Sequence, residues 1–303
     1  MRRSQLTPPE PLETLYDVTG GTPFPLPTEL AAFYGELRFP QRSTRPYVVA
    51  NFAQTLDGIV AFGGPGKAGG DAITGSNGAD RALMGLLRAS ADAVVVGAGT
   101  LRSVPRHLWT GGHIFPALAP AFQEFRRSRG KTAEPVNAVV TGSGNLDLSL
   151  PVFASGRVPV AVFTSEEGAR RLRSQSVPPS LSIVPFAGSG TLSAARIVAD
   201  LDRRGASDLV LVEGGPHLMG DFLDEGILDE LFLTVAPQVG GRSEGEARLG
   251  LVEGRMFGPN RPLWGSLRSV RRGGDHLFLR FAFSPPKEAG GDTKGRTPTP
   301  TGS

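Results

Sequence analysis

The sequence predicts an α/β fold with a central, mostly parallel sheet, flanking helices and antiparallel edge strands near the C-terminus. Several apolar runs of Val, Ile and Leu are continuous rather than alternating, which is typical of strands that are buried on both faces. Helical patterns lie between some of these runs, as expected of a parallel sheet. The last apolar run, His276–Phe283, alternates instead, which is typical of an antiparallel strand.

The individual elements follow from these patterns. The Asp80–Arg88 segment has three leucines on one helical face, and a second helix is predicted over Ser193–Arg204, with Ser193 as the N-cap and Gly205 after its last residue. A third helix-like stretch is Glu29–Leu37. The predicted strands are Tyr47–Phe52, Ile59–Phe62, Ala93–Val96, Ala138–Val140, Val160–Phe163, Ser182–Val184, Leu209–Val212, Glu230–Val235 and His276–Phe283.

Composition at the two ends predicts the limits of the domain. Residues 1–44 are rich in Pro and polar residues and are interpreted as an N-terminal arm. Residues 284–303 have almost no apolar content and are predicted to be a disordered tail. Residues 45–283 contain no repeat and no convincing linker, so they are predicted to form one domain.

Composition also excludes several classes of protein. The 303 residues include no Cys, which excludes disulfides, a thiol nucleophile and thiolate metal sites, and the four His are scattered, so no metal site is predicted. No apolar run approaches the roughly 18 residues of a membrane span. Residues 1–13 contain no apolar segment of the kind found in secretion signals. We therefore expect a soluble, cytoplasmic protein without a membrane partner.

The charge balance does not favour a nucleic-acid partner. The net charge is +3, with 32 Lys and Arg mixed among 29 Asp and Glu, which weakly favours an anionic ligand. Only one dense basic run occurs, formed by Arg126, Arg127, Arg129 and Lys131. We interpret it as a solvated loop or helix face, because nucleic-acid sites combine clustered basic residues with aromatic ones.

Glycines follow two of the predicted buried strands. Leu209–Val212 leads into Gly214 and Gly215 and then into a helix with Pro216 in its first turn. The free N–H groups of such a helix start could bind a pyrophosphate, although a plain strand-to-helix turn is an equally good interpretation. Gly97 and Gly99 follow the strand Ala93–Val96 in the same way. Because ligands of open α/β sheets bind outside the carboxyl ends of the strands, both exits are expected to line one crevice.

Two acidic residues stand out beside these glycines. Glu213 follows a buried strand directly and could orient amide-like N–H groups of a ligand. Asp57 precedes Gly58 between two apolar runs, a pattern that predicts a two-residue hairpin turn. The glycine-rich segment Gly64–Gly69 leads to no helix start and is expected to be a mobile loop beside the active site. No nucleophile or metalloprotease motif is present, so a cofactor must supply the reactivity.

Five short motifs follow one another along residues 45–283. They are Arg45–Tyr47, Thr55–Gly58, Leu87–Arg88 with Ala93–Thr100, Leu211–Pro216, and Leu228–Leu231 with Ala236–Pro237 and Gly240–Gly241. In this order they resemble the riboflavin-biosynthesis pyrimidine reductases, which are the reductase half of a bifunctional deaminase-reductase or its stand-alone relatives. The zinc-dependent deaminase chemistry of that bifunctional protein needs a PCxxC pair, which this sequence lacks.

The resemblance implies a dihydrofolate-reductase-like fold, usually dimeric, in which NADPH delivers a hydride to a ribosylamino-pyrimidine phosphate and converts it to the ribitylamino form. The protein would align cofactor and substrate and exclude water. By position it implies substrate contacts at Asn51, Arg88 and Glu213, and it makes Asp57 and Glu213 candidate catalytic residues. The proton donor stays open between Asp57, Glu213 and water.

The resemblance and the glycine pattern together predict the cofactor contacts. They are expected along the two glycine-rich strand exits and at four further positions that match the family. The predicted residues are Ala53, Thr55, Ala72, Gly97, Gly99, Thr100, Gly142, Gly214, Gly215, Pro216, His217, Leu218, Met219 and Gly220.

The chain also departs from the family pattern. Family members commonly have Lys where this chain has Asn51, and an acidic stretch where it has Leu101–Trp109. We hypothesise that Arg102, Arg106 and Trp109 serve a flatter ring or the 2′-phosphate of NADPH. Two alternative functions remain: reduction of dihydrofolate or another pterin on the same fold, and non-catalytic binding of NADP.

Overall fold

A computed structural model describes residues 9–42, 44–63, 70–187, 192–246 and 248–283. The segment Gly64–Gly69 and the tail 284–303 lie outside these ranges, so the loop and tail predictions stay predictions. The strands are β1 Glu13–Asp17, β2 Thr22–Phe24, β3 Leu37–Phe39, β4 Tyr47–Gln54, β5 Ala61–Phe62, β6 Ala93–Gly97, β7 Val136–Thr141, β8 Val160–Ser165, β9 Leu181–Phe186, β10 Leu209–Val212, β11 Glu230–Val235, β12 Arg248–Leu249, β13 Gly265–Gly273 and β14 His276–Phe283.

The helices lie mostly between the strands. None of those described is long and apolar enough to cross a membrane. They are α1 Thr28–Tyr34, α2 Gly70–Thr74, α3 Gly78–Ser90, α4 Ala98–Ser103, α5 Gly111–Ile114, α6 Ala119–Ser128, α7 Pro151–Ala154, α8 Glu166–Arg173, α9 Ala194–Arg203 and α10 Pro216–Asp224, with a short 3₁₀ helix at Pro116–Leu118.

Ten of the described strands form one sheet, in the order β1-β13-β14-β11-β4-β10-β6-β7-β8-β9. All pairs from β11 across to β9 are parallel, whereas β11, β14, β13 and β1 pair antiparallel. The prediction of a mostly parallel sheet with antiparallel C-terminal edge strands is therefore confirmed. Because β10 lies between β4 and β6, the carboxyl ends of these three strands are neighbours.

Apolar side chains are buried on both faces of the sheet. Along β4, Tyr47 and Val49 contribute to the core on the face covered by α1, α3 and α6, whereas Val48 and Ala50 contribute to the core on the face covered by α9 and α10. A strand with two buried faces needs apolar residues at every position, which explains the continuous runs in the sequence.

The predicted helix signals are confirmed where they are strong. Ser193 caps α9, since its Oγ accepts a hydrogen bond from the Arg196 N–H at 3.3 Å. Gly205, with φ of +95°, follows the last turn of that helix. Asn77 caps α3 in the same way, with its Oδ1 accepting from the Asp80 N–H at 3.0 Å.

The prediction of a separate N-terminal arm is wrong for the described residues before 45. Strand β1 pairs with β13 and extends the main sheet. Leu30 and Leu37 are fully buried, and Leu12 and Phe33 belong to the same core. The apolar residues here are spaced among prolines and polar residues, so the average composition conceals their role in the core.

The Asp57–Gly58 segment forms a turn but not a β-hairpin. The Gly58 N–H donates to the Thr55 carbonyl at 3.0 Å, and Gly58 has a positive φ of +78°. After the turn, β5 pairs with β12 rather than with β4, with Ala61 opposite Leu249. The hairpin prediction is wrong because long-range pairing with the later strand replaces local pairing.

The basic run at the end of α6 is only partly exposed to solvent. Arg126 is 2% exposed, and its Nη1 donates to the Ala91 carbonyl at 2.6 Å just beyond the end of α3. The side chain of Lys131 is 5% exposed, and its Nζ lies 2.5 Å from an Asp92 carboxylate oxygen. Our interpretation of the run as a solvated surface is therefore wrong for Arg126 and Lys131, whereas Arg127 is exposed.

A charge pair joins two of the five motifs. Arg45 donates from Nη1 and Nη2 to the two carboxylate oxygens of Asp229 at 2.7 and 2.9 Å. The Val48 N–H also donates to Asp229, at 2.8 Å. This pair fixes the start of β4 next to the start of β11, which accounts structurally for both residues.

Candidate active site

A cavity of about 730 Å³ opens at the carboxyl ends of β4, β6, β7 and β10. Its volume is typical of small-molecule sites, which span roughly 300–1,000 Å³. Most of the predicted site residues line it together. These are Asn51, Ala53, Arg88, Gly97, Gly99, Thr100, Gly142, Glu213, Gly214, Gly215, Pro216, His217 and Leu218.

The two glycine-rich strand exits touch each other on one wall of this cavity. The Gly97 N–H donates to the Gly214 carbonyl at 2.9 Å. Gly214 has φ of +141°, and a Cβ at this position would lie 2.7 Å from the Thr100 Oγ1. The backbone of Gly214 can approach Thr100 this closely because Gly214 has no side chain.

Helix α10 begins directly after these glycines and presents its N-terminus to the cavity. Pro216 occupies the first turn, and no side chain caps the helix. His217 and Leu218 line the cavity, and no hydrogen bond within the described chain satisfies their N–H groups. A helix N-terminus carries a partial positive charge and free donors, so this end of the cavity suits a phosphate or pyrophosphate.

The ends of β7 and β8 form the adjoining wall. The Ser165 hydroxyl donates to the Gly142 carbonyl at 2.7 Å and accepts from the Gly168 N–H at 3.0 Å. A Cβ at Gly142 would meet nothing within 4 Å. This wall is therefore built from small residues whose own hydrogen bonds hold them, and it leaves space for a ligand.

Arg88 and Glu213 form a buried ion pair in the lining of the cavity. Their side chains are 3% and 4% exposed. Arg88 donates from Nη2 to Glu213 at 2.6 Å and from Nε at 2.9 Å. The guanidinium reaches Glu213 from α3 because the stripe Asp80, Met84 and Arg88, spaced by four residues, follows the cavity side of that helix.

His107 completes this charged group. Arg88 Nη1 lies 2.8 Å from His107 Nε2, and because arginine only donates, Nε2 accepts and the ring proton is on Nδ1. Burial lowers the pKa of His107 far below its usual value, and the nearby positive charge of Arg88 lowers it further. His107 is therefore a neutral imidazole at physiological pH.

Asp80 is a cavity acid of a different kind. It is 4% exposed, and the Thr234 hydroxyl hydrogen-bonds its carboxyl. Burial raises the pKa of Asp80 to about 6, with the negative charges of Asp71 and Glu213 acting in the same direction. This carboxyl can therefore hold a proton close to neutral pH.

Asp57 and Thr55 do not line the cavity. Asp57 accepts hydrogen bonds from the Thr55 hydroxyl at 2.6 Å and from the N–H groups of Gly240 and Gly241 at 2.9 and 2.8 Å. The hydrogen bond from Thr55 and those from the two glycines hold the pKa of Asp57 well below its usual range. Asp57 thus joins the turn after β4 to the Gly240–Gly241 loop, and the geometry favours a structural role over a catalytic one.

Three further predicted cofactor residues lie outside the lining. The Ala72 carbonyl accepts from Gln238 Nε2 at 3.1 Å. Met219 is fully buried in the core on the α10 face of the sheet. A Cβ at Gly220 would lie 3.0 Å from the Arg255 side chain, and Gly220 is not part of the cavity lining.

Of the residues at which the chain departs from the family pattern, some line the cavity and others do not. Arg102 and Trp109 line the cavity, whereas Arg106 does not. Trp109 is only 2% exposed, and its N–H on the backbone donates to Asn137 Oδ1 at 3.0 Å. Of the two arginines, Arg102 is therefore the one that can reach a ligand.

Several lining residues were not predicted from the sequence. The i, i+4, i+8 spacing that puts Asp80 and Met84 on the same stripe as Arg88 could have identified them. Nothing in the local sequence singles out the others. They include Asp71, His107, Thr141, Ser143, Ser165 and Asp221.

Curated proteins with related sequences are enzymes of riboflavin biosynthesis. The chain is 25% identical over 214 residues to the riboflavin biosynthesis protein RibD of Aquifex aeolicus, which covers 68% of this chain and 51% of that protein. It thus spans about half of the length of that relative. It is 27% identical over 203 residues to the 2,5-diamino-6-ribosylamino-4(3H)-pyrimidinone 5′-phosphate reductase of Archaeoglobus fulgidus, covering 65% of this chain and 84% of that protein.

Solved structures show the same fold. A pyrimidine reductase-like protein from Corynebacterium diphtheriae aligns with a TM-score of 0.59 and 22% identity over 79% of this chain and 92% of that chain. A bifunctional deaminase and reductase from Thermotoga maritima aligns with a TM-score of 0.57 and 24% identity over 79% of this chain and 57% of that chain. The predicted dihydrofolate-reductase-like fold is confirmed. The family model of the RibD C-terminal domain matches residues 46–256, well over half of the sequence, and the chain belongs to that family.

Proposed function

We propose that this protein is an NADPH-dependent reductase that transfers a hydride to a ribosylamino-pyrimidine phosphate. The observation that carries the proposal is the convergence of the glycine-rich strand exits and the Arg88–Glu213 pair on one cavity. The Archaeoglobus relative, 84% of which is aligned, is named as a reductase of such a compound. NADPH, when bound, would supply the hydride.

The wall of the cavity that is formed by the two glycine-rich strand exits fits a dinucleotide. The free N–H groups of His217 and Leu218 would bind its pyrophosphate, and the absence of a side chain at Gly214 lets the backbone approach it. Gly142, where a Cβ would meet open space, would accommodate the adenosine end. Arg102 would contact a phosphate group, because no acid among the described residues pairs with it.

The charged group of Arg88, Glu213 and His107 fits the pyrimidine ring of the substrate and its sugar. Glu213 is held rigidly by Arg88, so its carboxylate can accept N–H groups of a pyrimidine in a fixed orientation. His107 is neutral and keeps one ring N–H as a donor. Asn51 adds an amide, which can donate and accept.

The test is the loss of NADPH absorbance at 340 nm when the purified protein is mixed with the ribosylamino-pyrimidine phosphate. NADH and dihydrofolate are used in parallel reactions as alternative cofactor and substrate. We expect oxidation of NADPH with the pyrimidine, and loss of turnover in Glu213→Gln with NADPH binding retained. Oxidation only with dihydrofolate, or NADPH binding without turnover of either substrate, would contradict the proposal.

We also propose that the protein forms a homodimer. Met256 and Trp264 are 85% and 83% exposed, and Val239 is 71% exposed. The resemblance to the pyrimidine reductases, which are usually dimeric, supports this proposal, and these exposed apolar side chains are candidates for the contact. Light scattering should give twice the mass of the 303-residue chain, and Trp264→Ser should shift the protein towards the monomer.

A further inference from the structure

Asp80 stands apart from the other acids of the cavity. Asp71, Glu213 and Asp221 each form an ion pair with an arginine. The ion pairs of the described residues do not include Asp80. A buried carboxyl that is not neutralised by a cation is costly when it is charged, so such a group holds its proton more readily than an exposed acid.

The capping of α3 does not account for this side chain. Asp80 is the third residue of the helix, where an acid can bind the N–H of the N-cap residue. The N-cap here is Asn77, and its N–H donates to the Thr74 carbonyl instead. The Asp80 carboxyl receives the Thr234 hydroxyl and lines the cavity.

The proposed reaction needs one proton and the other acids are poor donors. Glu213 uses both oxygens to accept from Arg88. Asp57 does not line the cavity and is bound by three donors that favour its charged form. His107 is already neutral, because burial lowers its pKa far below the usual value. Asp80 is the described cavity acid that can be both protonated and uncommitted to a cation.

We propose that Asp80 is the catalytic residue that donates this proton to the substrate, an inference that rests on the proposed function. The hydride forms a new bond to the sugar carbon attached to nitrogen, and the bond from that carbon to the ring oxygen breaks. The electron pair of the broken bond stays on the oxygen, which takes the proton from the Asp80 carboxyl. The substrate is reduced by two electrons, the nicotinamide is oxidised, and the Asp80 carboxylate regains a proton from water.

A general acid must be protonated to act, so the reaction should slow as the pH rises. The groups that face Asp80 are Asp71 from α2, Glu213 after β10, Arg81 on its own helix, and the uncharged Thr234 from β11. The two acids raise the pKa of Asp80 and Arg81 lowers it, with burial as the largest effect, to about 6. Single-turnover hydride transfer in the wild type should therefore fall about tenfold per pH unit above that value.

The test compares Asp80→Asn with the wild type and with Asp202→Asn, a change of the same kind on α9, which packs on the other face of the sheet from α3. Asn keeps an acceptor for Thr234 but cannot donate an acidic proton. We expect the hydride-transfer rate of Asp80→Asn to fall about 10²–10⁴-fold, with loss of the pH dependence above about pH 6. NADPH affinity, measured by fluorescence at pH 5, should stay within about twofold, since Asp80 is protonated at that pH and Asn matches the volume and charge of the protonated acid.

A readout that does not depend on turnover is the ¹³C NMR titration of aspartate carboxyls. One signal, absent in Asp80→Asn, should titrate near pH 6. If the wild type turns over but Asp80→Asn keeps the same rate and pH dependence, or changes only KM, the proposal for Asp80 is overturned while the reductase function stands. If the wild type does not oxidise NADPH with the pyrimidine, both proposals fail.

Discussion

The buried ion pair of Arg88 and Glu213 should show a large energetic coupling. The two side chains are 3% and 4% exposed and share contacts of 2.6 and 2.9 Å. Removing one partner of a buried pair leaves the other charge unpaired and costs about 3–5 kcal/mol. Glu213→Leu and Arg88→Met should each lower the free energy of unfolding by about this amount.

The double variant Arg88→Met/Glu213→Leu should lose much less than the sum of the two single changes, because no unpaired charge remains. We expect a coupling energy of about 2–3 kcal/mol from urea unfolding of the four proteins. The control is the exposed pair Glu13–Arg272, with side chains 54% and 55% exposed, whose coupling should stay below about 1 kcal/mol. Equal coupling in the two pairs would refute the reasoning. The double variant should remain inactive, because both side chains line the cavity.

Three further predictions concern the cofactor wall and Asp80. Gly214→Ala should cost roughly 1–3 kcal/mol of stability and abolish NADPH binding, because Gly214 combines a φ of +141° with a close contact to Thr100. The control is Gly205→Ala, where φ is +95° and a Cβ would meet open space. This control should lose stability but keep NADPH binding, measured by fluorescence. Arg102→Ala should raise the Michaelis constant for NADPH or for the pyrimidine about 10- to 100-fold. The control Arg106→Ala, at a residue outside the cavity, should change neither constant. If Arg102→Ala also leaves both Michaelis constants unchanged, Arg102 is excluded as a phosphate ligand. Burial raises the pKa of Asp80 from 3.8 to about 6, so the folded protein binds its proton more tightly than the unfolded chain. As the pH rises from about 4 to 7, the wild type should therefore lose up to about 3 kcal/mol of stability relative to Asp80→Asn. Parallel pH profiles of the free energy of urea unfolding in the two proteins would contradict this.

The parallel part of the sheet could be predicted because its strands are buried on both faces. Leu209–Val212 and Ala93–Val96 are short, continuous apolar runs, which are typical of parallel strands that are buried on both faces. Strand β13, in contrast, spans Gly265–Gly273 and is largely polar. It forms a hairpin with the adjacent β14 and also pairs with the distant β1, and its own polar sequence carries little of the apolar signal that identifies the other strands.

The candidate site could be predicted at the glycine-rich carboxyl ends of β6 and β10. Glu213, Gly214 and Thr100 line the cavity because the carboxyl ends of parallel strands share one edge of the sheet. Asp57 belongs to the same motif as Thr55, but the turn directs it towards the Gly240–Gly241 loop. Its position depends on a contact with a segment more than 180 residues away, which no local pattern reveals.

Asp80 could not be identified as a titrating group from the sequence. Its pKa depends on burial and on two acids from other parts of the chain, Asp71 and Glu213. Only the helical spacing from Asp80 to Arg88 is a sequence property. The environment that gives this carboxyl its chemistry exists only once α3 packs beside β10 and β11.

The most direct test of the reductase function follows the hydride itself. The protein is given the ribosylamino-pyrimidine phosphate and NADPH that carries deuterium at the reacting carbon of the nicotinamide, and the product is analysed by mass spectrometry. We predict a ribitylamino product with one deuterium on the sugar carbon attached to nitrogen. A product without deuterium, or unchanged substrate beside bound NADPH, would contradict the account.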